Sequence, residues 1–467
     1  MDFKNYLVPG KTGLLIGIGG VSMSPLAEVL HDAGLDIRGS DMAESSNTLT
    51  LRERGIPIHI GHSADNVTDD ISFVIRTAAV HDDNPEVHEA HRRGIPVFER
   101  TQAWGALMRG YQNALCISGT HGKTTTTSMC THIMMAAEKD PTVMIGGTLP
   151  LLKACHRVGK GNTIIMESCE YYNSFLALNP TIAVVLNIEA DHLDFFKDLE
   201  DIKHSFRCFA ERVPAETGTV IANYVDANTM DALRGIARKV ITFGLNAKAD
   251  VYAQNIVHRG SVSEFDIYHR GNYFARVTLH VPGIHNVRNA LAATAAAIVL
   301  GVSPNAVKYG LAGFEGAGRR FDFKGKFQGA DLYDDYAHHP SELRALLDAV
   351  DTLNYQRTIV VFQPHTYSRT AKLFNDFVEQ LRVADDPVHA LHTVAQNGLD
   401  VLQVACIRQR IQHRDMHVRM VGVHVMNEIR TDKTTTTGHN DIMGSKQFYS
   451  HNLQHTVRHT EMASNRE

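Results

Sequence analysis

Residues 114–127 read ALCISGTHGKTTTT, an apolar run followed by a glycine-rich loop and a run of threonines. Residues 114–118 are largely apolar and predict a buried strand, and the residues after Lys123 predict a helix. A glycine-rich loop between strand and helix binds phosphate oxygens through its backbone N–H groups and the helix N-terminus. In such a loop Lys123 would neutralise the β- and γ-phosphates, and the Thr124 hydroxyl would reach Mg²⁺. The candidate phosphate-binding residues are Gly119, Thr120, His121, Gly122, Lys123, Thr124 and Thr125.

This loop departs from the commonest phosphate-binding motif in one respect. Its spacing is shorter than in G-x-x-x-x-G-K-[ST], because position 117 is Ile. The alternative is a Gly/Thr turn that only caps a helix. The strand–loop–helix context favours a phosphate loop.

Two polar residues follow apolar strands of the same predicted sheet as this loop. The strand at 163–166 is followed by Glu167, and the strand at 181–186 is followed by a segment that contains His192. Parallel strands end at one edge of a sheet, where open α/β sheets bind ligands. Separately, each residue fits a solvent-facing strand end or a helix cap. Beside a threonine hydroxyl they predict a magnesium site formed by Thr124, Glu167 and His192, with Lys123, Glu167 and His192 as the catalytic candidates.

A second glycine turn lies near the start of the chain. Residues 17–22 read GIGGVS, which is the dinucleotide-binding pattern with Ser22 in place of its third glycine. Asp41 ends the next predicted strand, 24 residues beyond Gly17, a distance that suits a ribose contact. The turn predicts a nucleotide diphosphate rather than NAD, because hydride transfer would not require the phosphate loop. The candidate residues are Gly17, Gly19, Gly20, Ser22 and Asp41.

Two later clusters also carry polar groups suited to a nucleotide. His285, Asn286 and Asn289 open an Ala-rich helix at 287–300, and the asparagine amides could read an adenine edge. Arg319 and Arg320 precede the DDYAHHP segment at 334–340. Adjacent arginines suit phosphate charge, since a guanidinium stays protonated and forks onto oxygens. A salt-bridged linker is an equally good interpretation of the two arginines.

Composition limits the class of protein. A length of 467 residues suggests about three domains at roughly 150 residues each. No run of about 18 apolar residues exists, so a transmembrane helix is not expected. The first 13 residues have no apolar core of signal-peptide length, and the six scattered cysteines form no CxxC pair. A net charge of −5 argues against a nucleic-acid partner, and the expected location is the cytoplasm.

The order of strand and helix signals predicts an α/β fold with three domains. We expect a doubly wound domain with a parallel sheet at 1–108, a second α/β domain at 109–318, and the start of a third at 319–385. Two-residue alternation between 250 and 281 predicts antiparallel hairpins within the central domain. In the third region the predicted elements are strands at 331–334 and 358–362 and helices at 341–350 and 368–383.

The last segment, 386–467, differs in composition from the rest. It holds nine of the 27 histidines but only two aromatic residues, Phe448 and Tyr449. Such a segment buries little apolar surface against the entropy of ordering. We therefore expect 386–467 to be irregular or disordered and the third domain to be incomplete.

Several motifs outside the phosphate loop resemble one family, the Mur ligases. They are GIGGVSM at 17–23, MESCEYYNSF at 166–175, NIEADHLDFF at 187–196, PGIHNVRNALAA at 282–293, GAGRRFDF at 316–323, DDYAHHPSE at 334–342 and FQPHTYSRT at 362–370. The phosphate loop alone fits any Mur ligase or a folylpolyglutamate synthetase. The other motifs narrow the resemblance to the alanine-adding branch or to the related murein-tripeptide recycling branch.

The resemblance implies a fold, a reaction and a set of roles. The fold it implies is a Rossmann-like domain at 1–108 for the UDP-sugar, a central ATPase domain with a mostly parallel sheet at 109–318, and the start of a second Rossmann-like domain at 319–385. It implies that ATP, with Mg²⁺, activates the carboxylate of UDP-N-acetylmuramate as an acyl phosphate, which L-alanine's amine then attacks, in peptidoglycan precursor synthesis. Arg320 or Arg319 would face the phosphates and Asp335 would reach the ribose. His285, Asn286 and Asn289 lie in the segment that binds adenine in the family. The resemblance places His365 and Arg369 near the incoming amino acid.

Two positions depart from the family pattern. Arg207 stands where some Mur ligases carry a modified lysine, which is consistent with the alanine-adding branch. After Asp385 the family's apolar strand and glycine-rich strand end are missing, as in translation of a shifted reading frame. The alternative to an active ligase is therefore a nucleotide-binding protein without activity.

Overall fold

Three β-sheets divide the chain into three consecutive regions. The computed structural model describes residues 2–77, 79–327, 329–365 and 367–382, and the backbone of two further strands at 386–388 and 419–423. Each region has its own sheet with helices packed against it, so the predicted three-domain α/β fold is confirmed.

The first domain is a parallel sheet with the strand order β3-β2-β1-β4-β5. Its strands are β1 (Thr12–Ile16), β2 (Asp36–Asp41), β3 (Ile58–Ile60), β4 (Ile71–Arg76) and β5 (Val97–Glu99). Its helices are α1 (Ser24–Asp32), α2 (Ser46–Glu53), α3 (Pro85–Arg92) and α4 (Arg100–Met108), with 3₁₀ turns at Phe3–Tyr6 and Ala64–Asn66. Because the strand order reverses beside β1, the glycine turn after β1 lies where doubly wound sheets bind ligands.

The central domain has ten strands in the order β15-β14-β13-β12-β11-β10-β6-β9-β7-β8. The strands are β6 (Asn113–Ser118), β7 (Thr142–Leu149), β8 (Ala154–Arg157), β9 (Thr163–Glu167), β10 (Ile182–Val185), β11 (Thr219–Asn223), β12 (Lys239–Gly244), β13 (Val251–Arg259), β14 (Val262–His269) and β15 (Asn272–Leu279). The helices are α5 (Lys123–Ala136), α6 (Leu199–Glu211), α7 (Ala227–Ala232), α8 (Ile284–Val299) and α9 (Pro304–Ala312), with a 3₁₀ segment at Tyr171–Ala177.

The strand order of this sheet brings the predicted site residues together at the carboxyl ends of its central strands. β6 pairs in parallel with β9 on one side and β10 on the other. The phosphate loop follows β6, Glu167 ends β9, and the segment that contains His192 follows β10. The expected antiparallel hairpins are present as β13–β15. Helices α5 and α8 cover this part of the sheet, and the buried small side chains of α8 let it pack closely.

The third domain has a five-stranded sheet in the order β16-β17-β20-β18-β19. Its elements are β16 (Asp322–Phe327), β17 (Ala330–Asp335), α10 (Pro340–Asp351), β18 (Thr358–Phe362), α11 (Tyr367–Lys372), α12 (Phe374–Leu381), β19 (Asp386–Val388) and β20 (Arg419–Val423). β16 and β17 are antiparallel, and the other pairs are parallel.

One expected helix is in fact two. The sequence predicted a continuous helix over 368–383, but Leu373 has φ −111° and ψ 21° and separates α11 from α12. The break lets Phe377 and Leu381 face the core of the third domain, with Leu373 packed against it. Tertiary packing therefore overrides the local pattern over 368–383 that predicts one continuous helix.

The segment 386–467 contains two strands that the sequence did not predict. β19 pairs with β18, and β20 lies between β17 and β18. The rest of 386–467 lies outside the described residues, so the expectation of an irregular tail and the domain boundaries stay predictions. Among the described helices, none is long and apolar enough to cross a membrane.

Candidate active site

The phosphate loop between β6 and α5 depends on two glycines with left-handed backbone. Gly119 has φ +142° and Gly122 has φ +85°. A Cβ at Gly119 would lie 2.8 Å from the Cβ of Leu186, and one at Gly122 would lie 2.7 Å from Oδ1 of Asn289. Any other residue at either position would be strained and would also clash. α5 begins at Lys123, so the helix N-terminus faces the loop, as predicted.

Lys123 forms a buried ion pair with Glu170, a residue that the sequence analysis did not single out. Its Nζ lies 3.0 and 3.2 Å from the two carboxylate oxygens of Glu170, and it also donates to the carbonyls of Gly119 and Thr120. Burial alone would lower the pKa of Lys123, but Glu170 and other nearby acidic groups raise it above its ordinary value. The lysine therefore carries its positive charge at any physiological pH.

The predicted metal ligands are brought together in part. Glu167 accepts a hydrogen bond from the Thr124 hydroxyl at 3.0 Å and another from the Gly146 N–H at 2.6 Å. His192 contacts the same cluster at Glu170: Nε2 of His192 lies 3.9 Å from Oε1 of Glu170. Burial lowers the pKa of His192, so its imidazole is neutral near pH 7. A hydroxyl, carboxylates and a neutral imidazole are a donor set that fits a divalent cation.

A second cluster joins the phosphate loop to the third domain. His121 Nδ1 lies 3.1 Å from Glu342, and its Nε2 lies 3.4 Å from Glu189. Burial opposes the charged form, but Glu342 and Glu189 raise the pKa of His121 to about 9. The ring of His339 lies 4.8 Å from that of His121, and burial beside this charge lowers the pKa of His339. The contacts therefore tie α10 to the phosphate loop through an imidazolium.

A cavity of about 420 Å³ opens beside this cluster. Most of the residues predicted for a nucleotide line it, namely His121, Gly122, Thr124, Thr125, His285, Asn286, Asn289, Arg320 and Asp335. Burial, with Arg288 and Arg320 nearby, lowers the pKa of His285 to about 4. Burial raises the pKa of Asp335 to about 6, although the N–H groups of Phe321 and Ala337 donate to it. The wall is thus of mixed polarity, as a nucleotide site requires.

The two adjacent arginines have different surroundings. Arg320 lies in the cavity wall, 3.8 Å from Glu342, and the guanidinium groups of both arginines lie over the ring of Tyr336. Arg319 lies 3.5 Å from Asp334 on β17. Arg320 is therefore better placed than Arg319 to meet a nucleotide.

The asparagines of α8 are already engaged with the protein. Asn286 donates to the Pro282 carbonyl at 2.7 Å, and Asn289 donates to Oδ1 of Asn286 at 3.2 Å while its own Oδ1 faces Gly122. The two amides thus bond within α8 and to the residues just before it, and Asn289 lies beside the phosphate loop.

The glycine turn of the first domain is held by Asp41, which the sequence predicted only as a ribose contact. Asp41 accepts a hydrogen bond from the Gly19 N–H at 2.8 Å, and Asn47 donates to the Gly19 carbonyl at 2.8 Å. Gly17 has φ +77°, and the Gly20 N–H closes the turn onto the Gly17 carbonyl. Asp41 therefore shapes the turn in this structure.

Ser22, which replaces the third glycine of the fingerprint, has two partners from α4. Its hydroxyl accepts from Arg100, and its carbonyl accepts from Trp104 Nε1 at 3.3 Å. Arg100 is a cation at the turn that the sequence analysis missed, because an isolated arginine at a helix start carries no motif.

The two residues expected near the amino acid lie against the segment that contains His192. Arg369 Nε and Nη2 donate to Asp191 at 2.9 and 3.2 Å. The carbonyl of His365 accepts from Arg369 Nη1 at 3.3 Å. The structure thus brings Arg369 next to the predicted metal site and His365 next to Arg369.

Sequence reasoning missed the acidic partners Glu170, Asp191, Glu189 and Glu342. All four lie inside the motifs quoted above; three of them lie within three residues of a predicted site residue, and Glu342 lies seven residues after Asp335. Their proximity was the available signal, but a carboxylate in a loop is usually solvated. Only the fold shows that they meet cations from distant segments.

Models of one protein family match consecutive parts of this chain. The Mur ligase catalytic domain matches residues 15–112, the Mur ligase middle domain matches 117–297, and the Mur ligase glutamate ligase domain matches 319–431. The third match extends past Asp385 and includes β19 and β20.

Curated relatives and solved structures agree with these matches. A UDP-N-acetylmuramate–L-alanine ligase from Agathobacter rectalis is 46% identical over 371 residues, 79% of this chain and 81% of the relative. One from Clostridium novyi is 42% identical over 432 residues, 92% of this chain and 93% of the relative. The structure of UDP-N-acetylmuramate-alanine ligase MurC from Thermotoga maritima superposes with a TM-score of 0.70 at 27% identity, over 95% of this chain and 99% of that one.

Proposed function

Because this chain belongs to the Mur ligase family, we propose that it uses ATP to join L-alanine to the carboxylate of UDP-N-acetylmuramate. The reaction makes an amide bond of a peptidoglycan precursor while ATP becomes ADP and phosphate. The observation that carries this proposal is the buried Lys123, beside Thr124 and Glu167 at the edge of the central sheet. That arrangement supplies fixed positive charge and metal ligands where phosphoryl transfer needs them.

Lys123 is proposed to stabilise the phosphoryl group that leaves ATP. In the first step a carboxylate oxygen of UDP-N-acetylmuramate attacks the γ-phosphorus, and the bond to ADP breaks. Negative charge spreads over the phosphoryl oxygens in this step, and a preorganised ammonium counters it. No nucleophilic serine or cysteine is needed, because the substrate's own carboxylate attacks. In the second step the amine of L-alanine attacks the acyl phosphate, and phosphate leaves.

Thr124, Glu167 and His192 are proposed to hold Mg²⁺. When bound, Mg²⁺ would neutralise phosphate charge and orient the reacting groups. The hydrogen bond between Thr124 and Glu167 already brings two of these ligands together. The lowered pKa of His192 favours the neutral imidazole, in which one ring nitrogen carries no proton and can bind a metal.

The remaining residues are proposed to bind the substrates. Arg320 and the phosphate loop would contact the ATP phosphates, and Arg319 would lie next to Arg320. The loop residues involved would be Gly119, Thr120, His121, Gly122 and Thr125. His285, Asn286 and Asn289 would border the adenine, and Asp335 the ribose. The first domain would bind the UDP diphosphate along Gly17, Gly19, Gly20, Ser22 and Asp41. His365 and Arg369 would lie near L-alanine.

The proposal includes a cytoplasmic location, where ATP and nucleotide-linked sugars are made. The partners are these small molecules, and no nucleic acid takes part.

The decisive experiment measures phosphate release from the purified full chain with UDP-N-acetylmuramate, ATP and L-alanine, each omitted in turn. We expect release that requires all three and a product heavier by one alanyl residue. Faster turnover with a murein tripeptide than with L-alanine would assign the chain to the recycling branch. No release with either amine, despite ATP binding, would identify an inactive nucleotide-binding protein.

A further inference from the structure

Asp191 connects the third domain to the predicted metal site. Two nitrogens of Arg369 on α11 donate to its two oxygens at 2.9 and 3.2 Å. The side chains are only 7% exposed for Asp191 and 8% for Arg369. This two-point contact joins the central domain to the third, and it is buried in the described structure.

The same carboxylate also fixes the residue that follows it. Oδ1 of Asp191 accepts the backbone N–H of His192 at 2.8 Å, and Oδ2 lies 3.7 Å from Nε2 of that imidazole. His192 has φ +52°, a left-handed conformation that a non-glycine residue adopts only when its surroundings impose it. The ring also stacks on Tyr171, with centroids 4.3 Å apart. Asp191 is thus one of the contacts that hold His192 in a strained position.

A further contact joins the same two segments. Nζ of Lys372, one turn beyond Arg369 on α11, donates to the carbonyl of Leu193 at 2.8 Å. α11 therefore contacts the residues on both sides of His192. Displacement of α11 would remove contacts from both sides of the candidate metal ligand.

We propose that Asp191 is a positioning residue that couples docking of the third domain, through Arg369, to the orientation of His192. The inference rests on the proposed function, since it assigns His192 to the metal site. Arg369 then has two roles in the reaction: it holds Asp191, and it lies near the amino acid.

The test uses Asp191→Asn and Arg369→Gln in the full chain, singly and together. Mn²⁺ replaces Mg²⁺, and its affinity in the presence of ATP is measured by electron paramagnetic resonance without turnover. Loss of a group that orients a metal ligand commonly lowers metal affinity by about 10–100-fold. We expect each single variant to weaken Mn²⁺ binding by roughly tenfold or more, and the double variant to add little, because contacting residues act together.

Two conservative variants and a control keep the proposal testable if Asp191→Asn is poorly folded. Asp191→Glu should bind Mn²⁺ more tightly than Asp191→Asn does. Arg369→Lys should bind Mn²⁺ as weakly as Arg369→Gln does, because an ammonium lacks the guanidinium fork. Asp266→Asn, which breaks a pair with Arg276 on the hairpins, should leave Mn²⁺ binding unchanged.

Two results would overturn the coupling. One is unchanged Mn²⁺ affinity in folded Asp191→Asn. The other is an Arg369→Gln variant that raises only the KM for L-alanine, which would mean that Arg369 holds the amino acid directly. Failure of the wild-type chain to ligate alanine would refute the proposed function instead, because Mn²⁺ binding is read without turnover.

Discussion

The ammonium of Lys123 lies 3.0 Å from a carboxylate oxygen of Glu170, and both side chains are buried. The lysine also donates to two carbonyls of its own loop. Phosphate oxygens therefore have to compete with acceptors of the protein for this ammonium. The charge is fixed at the site before a nucleotide arrives, which is the preorganisation that electrostatic catalysis requires.

Lys123→Ala should abolish most turnover and leave UDP-sugar binding nearly intact, because that site lies on another domain. Loss of a preorganised charge at a transferring phosphoryl group costs about 10²–10³ in rate. Phosphate release measures the turnover, and calorimetry measures the binding of UDP-N-acetylmuramate. A matched control is Lys153→Ala, outside the predicted site. Near-normal ligation by Lys123→Ala would refute its role.

Glu170→Gln should destabilise the fold, because it leaves the buried Lys123 ammonium without its anionic partner. The loss should approach about 3 kcal/mol of unfolding free energy, reduced by the acceptor oxygen that glutamine keeps. Urea denaturation measures it, with Glu211→Gln as the control, since Glu211 forms a partly exposed pair with Arg207. Equal stability of the variant and wild type would show that the loop carbonyls alone hold Lys123.

Glu167→Gln should raise the Mg²⁺ requirement for turnover by roughly tenfold or more and leave the fold intact. Glutamine is a better replacement than alanine, because Glu167 also ties β9 to the Gly146 N–H. Gly146→Ala should have a similar effect, since its Cβ would lie 2.4 Å from Oε1 of Glu167. Magnesium titrations at saturating substrates measure both variants. A folded Glu167→Gln with an unchanged Mg²⁺ dependence would make Glu167 a structural residue.

His121→Gln should change the pH dependence of stability. The pKa of His121 is raised from 6.5 to about 9 by Glu342 and Glu189 in spite of burial. Its contribution is therefore fully present below about pH 6.5, and it is lost as the pH rises through 9. Since one pKa unit corresponds to about 1.4 kcal/mol, this contribution is at most about 3 kcal/mol.

The measurement is the difference in unfolding free energy between wild type and His121→Gln from pH 5.5 to 9.5. The difference cancels the contribution of His285, whose lowered pKa acts in the opposite sense, and it includes the response of His339, because the charge of His121 helps to lower the pKa of His339. His31→Gln, at an exposed histidine, is the control. A difference that does not fall with rising pH would exclude an imidazolium at position 121.

Local patterns predicted the glycine turn of the first domain and the central strands and hairpins of the second. The apolar strand before Gly119 and the alternating residues of 250–281 lie within single elements, so the sequence carries the full signal for β6 and for the hairpins. Lys123, Thr124 and Glu167 were likewise predictable, because each occupies a fixed place at the end of a strand or the start of a helix.

Features that depend on distant contacts could not be predicted. Glu342 meets His121, and Arg369 meets Asp191, only because two domains contact each other. The break at Leu373 and the pairing of β20 likewise depend on packing partners far along the chain. No pattern within about ten residues encodes such contacts.

The position of β20 has a consequence for how the third domain is made. Tyr333 pairs with Val421, and Thr358 pairs with Arg419, so the middle strand of this sheet is the last to leave the ribosome. Until residue 423 has been synthesised, β17 and β18 each present an unpaired edge, which invites association with other chains. Closing such long loops is also slow. Nascent chains that stop short of residue 419 would therefore lack the centre of the sheet rather than its margin.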